Sequence, residues 1–208
     1  MSTPSQTSAT MHAERLARFA RDAYARGWAV ATSGNFSVVV SRDPLRLAIT
    51  ASGRHKGELT ASDVVEVGAD GEALAGAARP SAETPIHLAI ARARGAGAVA
   101  HVHSVWATIA SERFAADGAV ELAGLEMLKA FDGVATHDHR EAVPIVENTQ
   151  DWAAAAPAVE DLLRRHPAAH GFLIRGHGLY TWGRDLDEAW RHLEAFEFLF
   201  EVVARRGA

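Results

Sequence analysis

The sequence predicts one α/β domain in which helices cover a largely antiparallel sheet. Three observations lead there. Short apolar runs bounded by turn residues recur along the chain and read as strands. Longer segments with apolar residues at helical spacing lie among them, without the strict strand–helix alternation of a dinucleotide-binding fold. No internal repeat or low-complexity linker divides the 208 residues, a length that suits a single core.

Taken in order, residues 1–10 are rich in Ser and Thr and read as a disordered tail, with the domain spanning 11–208. Met11 to Arg26 reads as a helix, with Leu16, Phe19, Ala20, Ala23 and Tyr24 on one face and Gly27 as its stop. Phe36–Val40 and Leu45–Thr50 read as strands joined at Ser41–Pro44, and Val64–Val67 as a strand turning at Asp70-Gly71 toward Leu74. Ser81 is a candidate cap for a helix through about Arg94, and Ser104 for one through about Phe114. The apolar run Ala98-Val99-Ala100 between them continues into His101-Val-His103 as a buried strand. Leu122–Phe131 reads as a short helix and Glu141–Val146 as a strand. Asn148 or Thr149 opens an Ala-rich helix to about Arg165, and Ala169–Ile174 and Gly178–Gly183 are strands. Asp185 with Glu188 forms a capping-box pattern ahead of Leu186, Ala189, Trp190, Leu193, Phe196, Leu199 and Phe200 at helical spacing.

Composition narrows the function classes. With 21 Lys and Arg against 26 Asp and Glu, the formal charge is −5 and no basic block is present, so nucleic acid is not an expected partner. No stretch approaches the roughly 18 apolar residues of a membrane span. The start has neither the basic residues nor the apolar run of a signal peptide, and a cytoplasmic location is expected. There is no cysteine, which excludes a thiolate-closed metal site. Lysine occurs only at positions 56 and 129, so Schiff-base chemistry would have to use one of these two.

His101 and His103 are alternate residues of a strand, so they share one face about 6.6 Å apart along the chain. A third histidine sits far downstream in Arg175-Gly176-His177-Gly178, where glycines permit close approach. Three neutral imidazoles with an open position are a pattern for catalytic zinc. Thr32-Ser33-Gly34-Asn35 and Thr50-Ala51-Ser52-Gly53 each put small polar residues and a glycine at a strand end. Such segments present N–H groups and hydroxyls to an anion. Arg54, His55 and Lys56 follow and could add positive charge, and Arg79-Pro80-Ser81 precedes a helix start. Glu83 opens that same helix. Glu126 lies in the otherwise apolar run Leu125–Lys129, where a buried acid would have a raised pKa.

Ser33-Gly34-Asn35, Ser52-Gly53, Pro80-Ser81-x-Glu83, His101-x-His103 and Gly176-His177-Gly178 occur in the order found in the class II aldolase/adducin-head family. The chain resembles that family from about residue 11 to its end. The stretches Ala31–Ser37, Ile49–Arg54, Gly124–Lys129 and Arg175–Gly183 resemble its hydro-lyase branch, which works in methionine salvage. The resemblance implies a class II aldolase-like, three-layer α/β/α fold with a mainly antiparallel central sheet, assembled as a homotetramer. It implies one Zn2+ per subunit on His101, His103 and His177. Phosphate contacts on a sugar-phosphate substrate would come from Gly34, Asn35, Ser52, Gly53 and Ser81. It makes Glu126 the acid–base residue and Glu83 a substrate-facing neighbour, with Met127 and Phe131 as candidates for the apolar lining. One departure stands out: Ser81-Ala82-Glu83 replaces the Ser-Ser-Glu of the aldolases, so one hydroxyl contact is missing. The scaffold also carries sugar-phosphate aldolases, 4-epimerases and the non-catalytic adducin head. The last alternative predicts loss of the metal ligands, and all three are present.

Overall fold

The computed structural model describes the backbone of residues 4–206 and the side chains of residues 10–206. In chain order the elements are α1 (Pro4–Ala25), β1 (Asn35–Arg42), β2 (Leu45–Thr50), β3 (Val64–Val67), α2 (Thr84–Arg94), β4 (Ala98–Val102) and α3 (Val105–Arg113). There follow β5 (Ala119–Ala123), β6 (Arg140–Val146), α4 (Trp152–Arg165), β7 (Gly171–Ile174), β8 (Gly178–Gly183) and α5 (Leu186–Arg206). The strands form one sheet in the order β3-β2-β1-β4-β8-β7-β6-β5. Every neighbouring pair is antiparallel except β6–β7.

Alternation along β4 sorts the helices into two layers. Ala98, Ala100 and Val102 join the core built with Leu16 and Phe19 of α1, Ala107 of α3, and Leu193 and Phe196 of α5. Val99 points the other way, into a cluster with Ile86 and Ile90 of α2 and Leu162 and Leu163 of α4. The three-layer α/β/α architecture follows. Because His101 and His103 share the parity of Val99, they face the α2/α4 side. Strand register sets His101 between Asn35 of β1 and Tyr180 of β8, so one row across three strands carries all three side chains.

Local signals end the helices where the sequence indicates. The Ser104 hydroxyl accepts from the Ala107 N–H at the start of α3, and Gly95 closes α2 in the left-handed conformation. Asp185 accepts from the Glu188 N–H, while the Glu188 carboxylate accepts from the Arg184 N–H, one residue ahead of the expected capping partner.

Several boundaries differ from expectation, four of them in ways that change an element's start or type. α1 begins at Pro4 rather than Met11, so the segment read as a tail is helical from Pro4 onward, while residues 1–3 lie outside the described residues. Proline is tolerated in a first helical turn because its missing N–H would have no partner there. Leu122 belongs to β5, paired with β6, and the expected helix shrinks to a 3-10 turn over Glu126–Ala130. Residues 119–123 alternate exposed or half-buried with buried, the mark of an edge strand. α2 starts at Thr84, with Ser81 instead accepting from the Glu83 N–H ahead of the helix. α4 starts at Trp152 on an Asp151 cap that accepts from the Ala154 N–H, which leaves Asn148 free for another partner. No helix among the described residues is long and apolar enough to cross a membrane.

One buried acid in α5 has no role in the core. Glu197 is 3% exposed, and neither carboxylate oxygen has a hydrogen-bond partner among the described residues. Burial pushes its pKa up to about 8, against an ordinary 4.5. An acid whose folded pKa is raised stays protonated while the unfolded chain ionises, so it draws stability down as pH climbs from about 4.5 to about 8. Glu197→Gln should flatten that decline in denaturant midpoints measured between pH 5 and 8; parallel slopes for the two proteins would contradict it.

Candidate metal centre

The three histidines expected as ligands converge. His101 and His103 come from the end of β4, and His177 from the tight β7–β8 turn that follows Gly176 at φ 61°. Their Nε2 atoms lie 2.9 Å (His101–His103), 2.8 Å (His103–His177) and 3.3 Å (His101–His177) apart. Ligands about 2.0–2.1 Å from a tetrahedral ion would be separated by about 3.3 Å. The approach of the two turns depends on glycine: a Cβ at Gly178 would stand 2.0 Å from the Val102 carbonyl oxygen, and one at Gly34 (φ 74°) 2.7 Å from that of His101.

The proton inventory favours a cation among the rings. His101 Nδ1–H donates to the Leu179 carbonyl at 2.9 Å, and His177 Nδ1–H to Asn148 Oδ1 at 3.1 Å. Both Nε2 atoms are therefore lone-pair acceptors, facing each other at 3.3 Å, and a single His103 Nε2–H could satisfy only one of them. Burial, the largest cause for each ring, keeps all three neutral: His101 falls well below the ordinary range, His103 to about 3, and His177 is lowered too. Neutral imidazoles with converging lone pairs fit a divalent metal. The outer nitrogens are already held by a carbonyl and an amide, as ligand histidines require.

Glu83 completes a four-residue group able to hold an ion. Its oxygens stand 3.2 Å from His101 Nε2 and 3.4 Å from His177 Nε2. Asn35 Nδ2 (2.7 Å) and the Tyr180 hydroxyl (2.8 Å) donate to the same Glu83 oxygen. Burial first, and then the Glu83 charge, raise the Tyr180 pKa well above its ordinary value, so it stays a donor. Tyr180 also stacks on His101 at 4.0 Å. Behind Asn35, the buried His87 passes the chain on: Nε2–H donates to Asn35 Oδ1, and the Ser37 hydroxyl donates to Nδ1 at 2.7 Å. Burial lowers the His87 pKa to about 4, which keeps the ring neutral and this direction intact.

In front of the centre opens a cavity of about 310 Å³. Gly34, Asn35, Ser52, Gly53, Ser81 and Glu83 all line it, together with His103 and His177. The expected anion-binding segments and the metal centre thus share one space. A family model described as "Class II Aldolase and Adducin N-terminal domain" matches residues 14–204. The chain belongs to the class II aldolase and adducin family. Within it, the chain is 49% identical over 190 residues to a methylthioribulose-1-phosphate dehydratase of Marinobacter nauticus, covering 91% of this chain and 90% of that one. It is 46% identical over 197 residues to the same-named protein of Sorangium cellulosum, covering 94% and 92%. Among solved structures, an L-fuculose-1-phosphate aldolase from Thermus thermophilus superposes with a TM-score of 0.72 at 27% identity, covering 92% of each chain.

Two expectations for this class II aldolase family member need correction. Glu126 is not buried. It projects from the 3-10 turn that sends Leu128 into the α1/α3/α5 core, it bonds Lys129 at 2.8 Å, and it lies outside the metal group. The Lys129 hydrogen bond and charge hold its carboxyl below the ordinary range, the reverse of the expected rise. Phe131 packs on Phe196 in the core, and Met127 lines a separate cavity beside Trp28 and Trp106, so neither lines the metal cavity of its own chain. The Asn35 side chain is engaged by Glu83 and His87. Four neighbours went unremarked as site residues in the sequence: Tyr180, Asn148, Gln150 and Trp152. Only Tyr180 carried a signal, its place opposite His101 in a neighbouring strand.

The purified protein should bind one divalent ion per chain, and His103→Ala should lose it in metal analysis after gel filtration. Asn148→Leu should keep the fold by circular dichroism yet weaken metal affinity about tenfold to a hundredfold in a competitive titration.

Proposed function

We propose that the protein is a cytoplasmic, homotetrameric hydro-lyase of methionine salvage. It would convert 5-methylthioribulose 1-phosphate to 2,3-diketo-5-methylthiopentyl 1-phosphate with one Zn2+ per subunit. One observation carries the chemistry: three neutral imidazoles converge beside a cavity lined by two Gly-containing polar loops. Near-full-length identity of 46–49% to two methylthioribulose-1-phosphate dehydratases favours dehydration over the other reactions of the family.

A zinc ion on His101, His103 and His177 would supply Lewis acidity toward the substrate's C2 carbonyl. Backbone N–H groups and hydroxyls of Gly34, Ser52, Gly53 and Ser81 would hold the phosphate and set the register of the sugar. Glu83, fixed by Asn35 and Tyr180, would face the sugar hydroxyls. Glu126 would take the C3 proton and return it to the departing C4 hydroxyl, which leaves as water; ketonisation then yields the diketone. Glu126 sits in the layer opposite the histidines, so in this reading it serves the cavity of a neighbouring copy, and Met127 travels with it as the apolar contact for the methylthio group.

A sugar-phosphate aldolase is the second reading, favoured by the contact of Glu83 with the histidine trio, which would make that acid the base. The two part on products and on variants. The dehydratase reading expects diketone absorbance from the methylthio substrate, and Glu126→Gln should lower kcat about 10²–10⁴-fold with zinc content unchanged. Release of dihydroxyacetone phosphate, or an active Glu126→Gln beside a dead Glu83→Gln, would decide for the aldolase.

A further inference from the structure

Lys56 is 1% exposed, and no carboxylate pairs with it among the described residues. Its ammonium donates to the carbonyl oxygens of Thr32 (2.9 Å) and Arg54 (3.0 Å), while its backbone N–H donates to that of Ala31. Those bonds tie the Thr32–Asn35 segment to the Ser52–Arg54 segment, the two loops on either side of the cavity. Ala31 is held at φ 55°, a conformation that a residue with a Cβ adopts only when its surroundings impose it. The grip on Ala31 and Thr32 is part of that imposition.

The two residues before it are turned elsewhere. Arg54 pairs with Asp63 at 3.3 Å, and the His55 ring packs tilted against Tyr24, centroids 4.7 Å apart. Among the described residues, Lys56 is the one Lys or Arg that lines the cavity. An ammonium has three donors and two are engaged, which leaves one N–H and a whole positive charge without an anion. A buried charge in that condition is unfavourable unless a ligand compensates it. Burial accordingly pushes the Lys56 pKa down to about 8.

We propose that Lys56 is the phosphate-holding cation of this site, shaping both loops through their carbonyls and giving its remaining N–H and its charge to the phosphate. The proposal rests on the reading of the cavity as a sugar-phosphate site. It adds the charge that backbone N–H groups and hydroxyls lack, and it makes the phosphate a requirement of recognition.

The test is calorimetric titration of the metal-loaded protein with inorganic phosphate. Lys56→Gln retains donors for the two carbonyls but not the charge, so phosphate affinity should fall about tenfold to a hundredfold with bound metal retained. Lys56→Arg should restore part of it. A folded, metal-loaded Lys56→Gln protein with unchanged phosphate affinity would overturn the proposal. Should that variant fail to fold, wild-type protein labelled at lysine carries only two side-chain signals, from Lys56 and Lys129. Phosphate should move the Lys56 13Cε resonance and leave that of Lys129 in place; an unmoved Lys56 signal at saturating phosphate would equally refute it. The outcome is independent of turnover: phosphate binding that depends on Lys56 without diketone formation would sink the dehydratase reading alone.

Discussion

Two imidazole lone pairs held face to face 3.3 Å apart are unfavourable without something positive between them. That constraint organises the molecule. It requires His101 and His177 to present the same tautomer, so each outer nitrogen needs an acceptor, and the fold supplies the Leu179 carbonyl and the Asn148 amide. It requires β4 and the β7–β8 turn to meet closely, so Gly178 packs where any Cβ would strike the Val102 carbonyl. It also requires a dry floor, provided by Tyr180 stacked on His101 and by the polar chain through Glu83, Asn35, His87 and Ser37. Every member of that chain has a partner, the condition under which a buried polar network adds rigidity rather than loss.

Part of the histidine cluster was legible because its code is local, while the grouping of His177 with the other two came from the family resemblance. Two histidines two apart on a strand must share a face, and a glycine-flanked histidine marks a tight approach; neither statement needs the tertiary structure. The sheet with its covering helices was legible for the same reason, since α3 and α5 carry their caps in Ser104 and Asp185. What escaped depends on direction at a boundary. Leu125–Lys129 looks apolar enough to bury an acid, yet one 3-10 turn sends Leu128 inward and Glu126 out to Lys129. Leu122 reads as helix or as strand until β6 is beside it. Arg54, His55 and Lys56 are three adjacent basic residues in the primary order, and only packing shows that Asp63 and Tyr24 draw off the first two.

Glu83 and Glu126 are held in opposite ways. Held by Asn35 and Tyr180, the Glu83 carboxylate is fixed against the histidines and has little freedom to follow a moving proton. Glu126, on an exposed turn, is held only by Lys129 at 2.8 Å and a more distant His137. The contrast between a buried acid with two donors and an exposed one bonded to Lys129 is a physical difference between positions, visible here within a single chain.

The single parallel pairing in the sheet has a topological consequence. Strands β6 and β7 run in the same direction, so the chain must leave one end of the sheet and return to the other, and α4 is the return path. The departing segment runs from Asn148 through Gln150 to Trp152 along the mouth of the metal cavity, contributing an amide to His177 and an indole 5.5 Å from that ring. Were β7 reversed, a two-residue hairpin would suffice, and the centre would stand roofless. The wall over the histidine trio is thus a by-product of strand polarity.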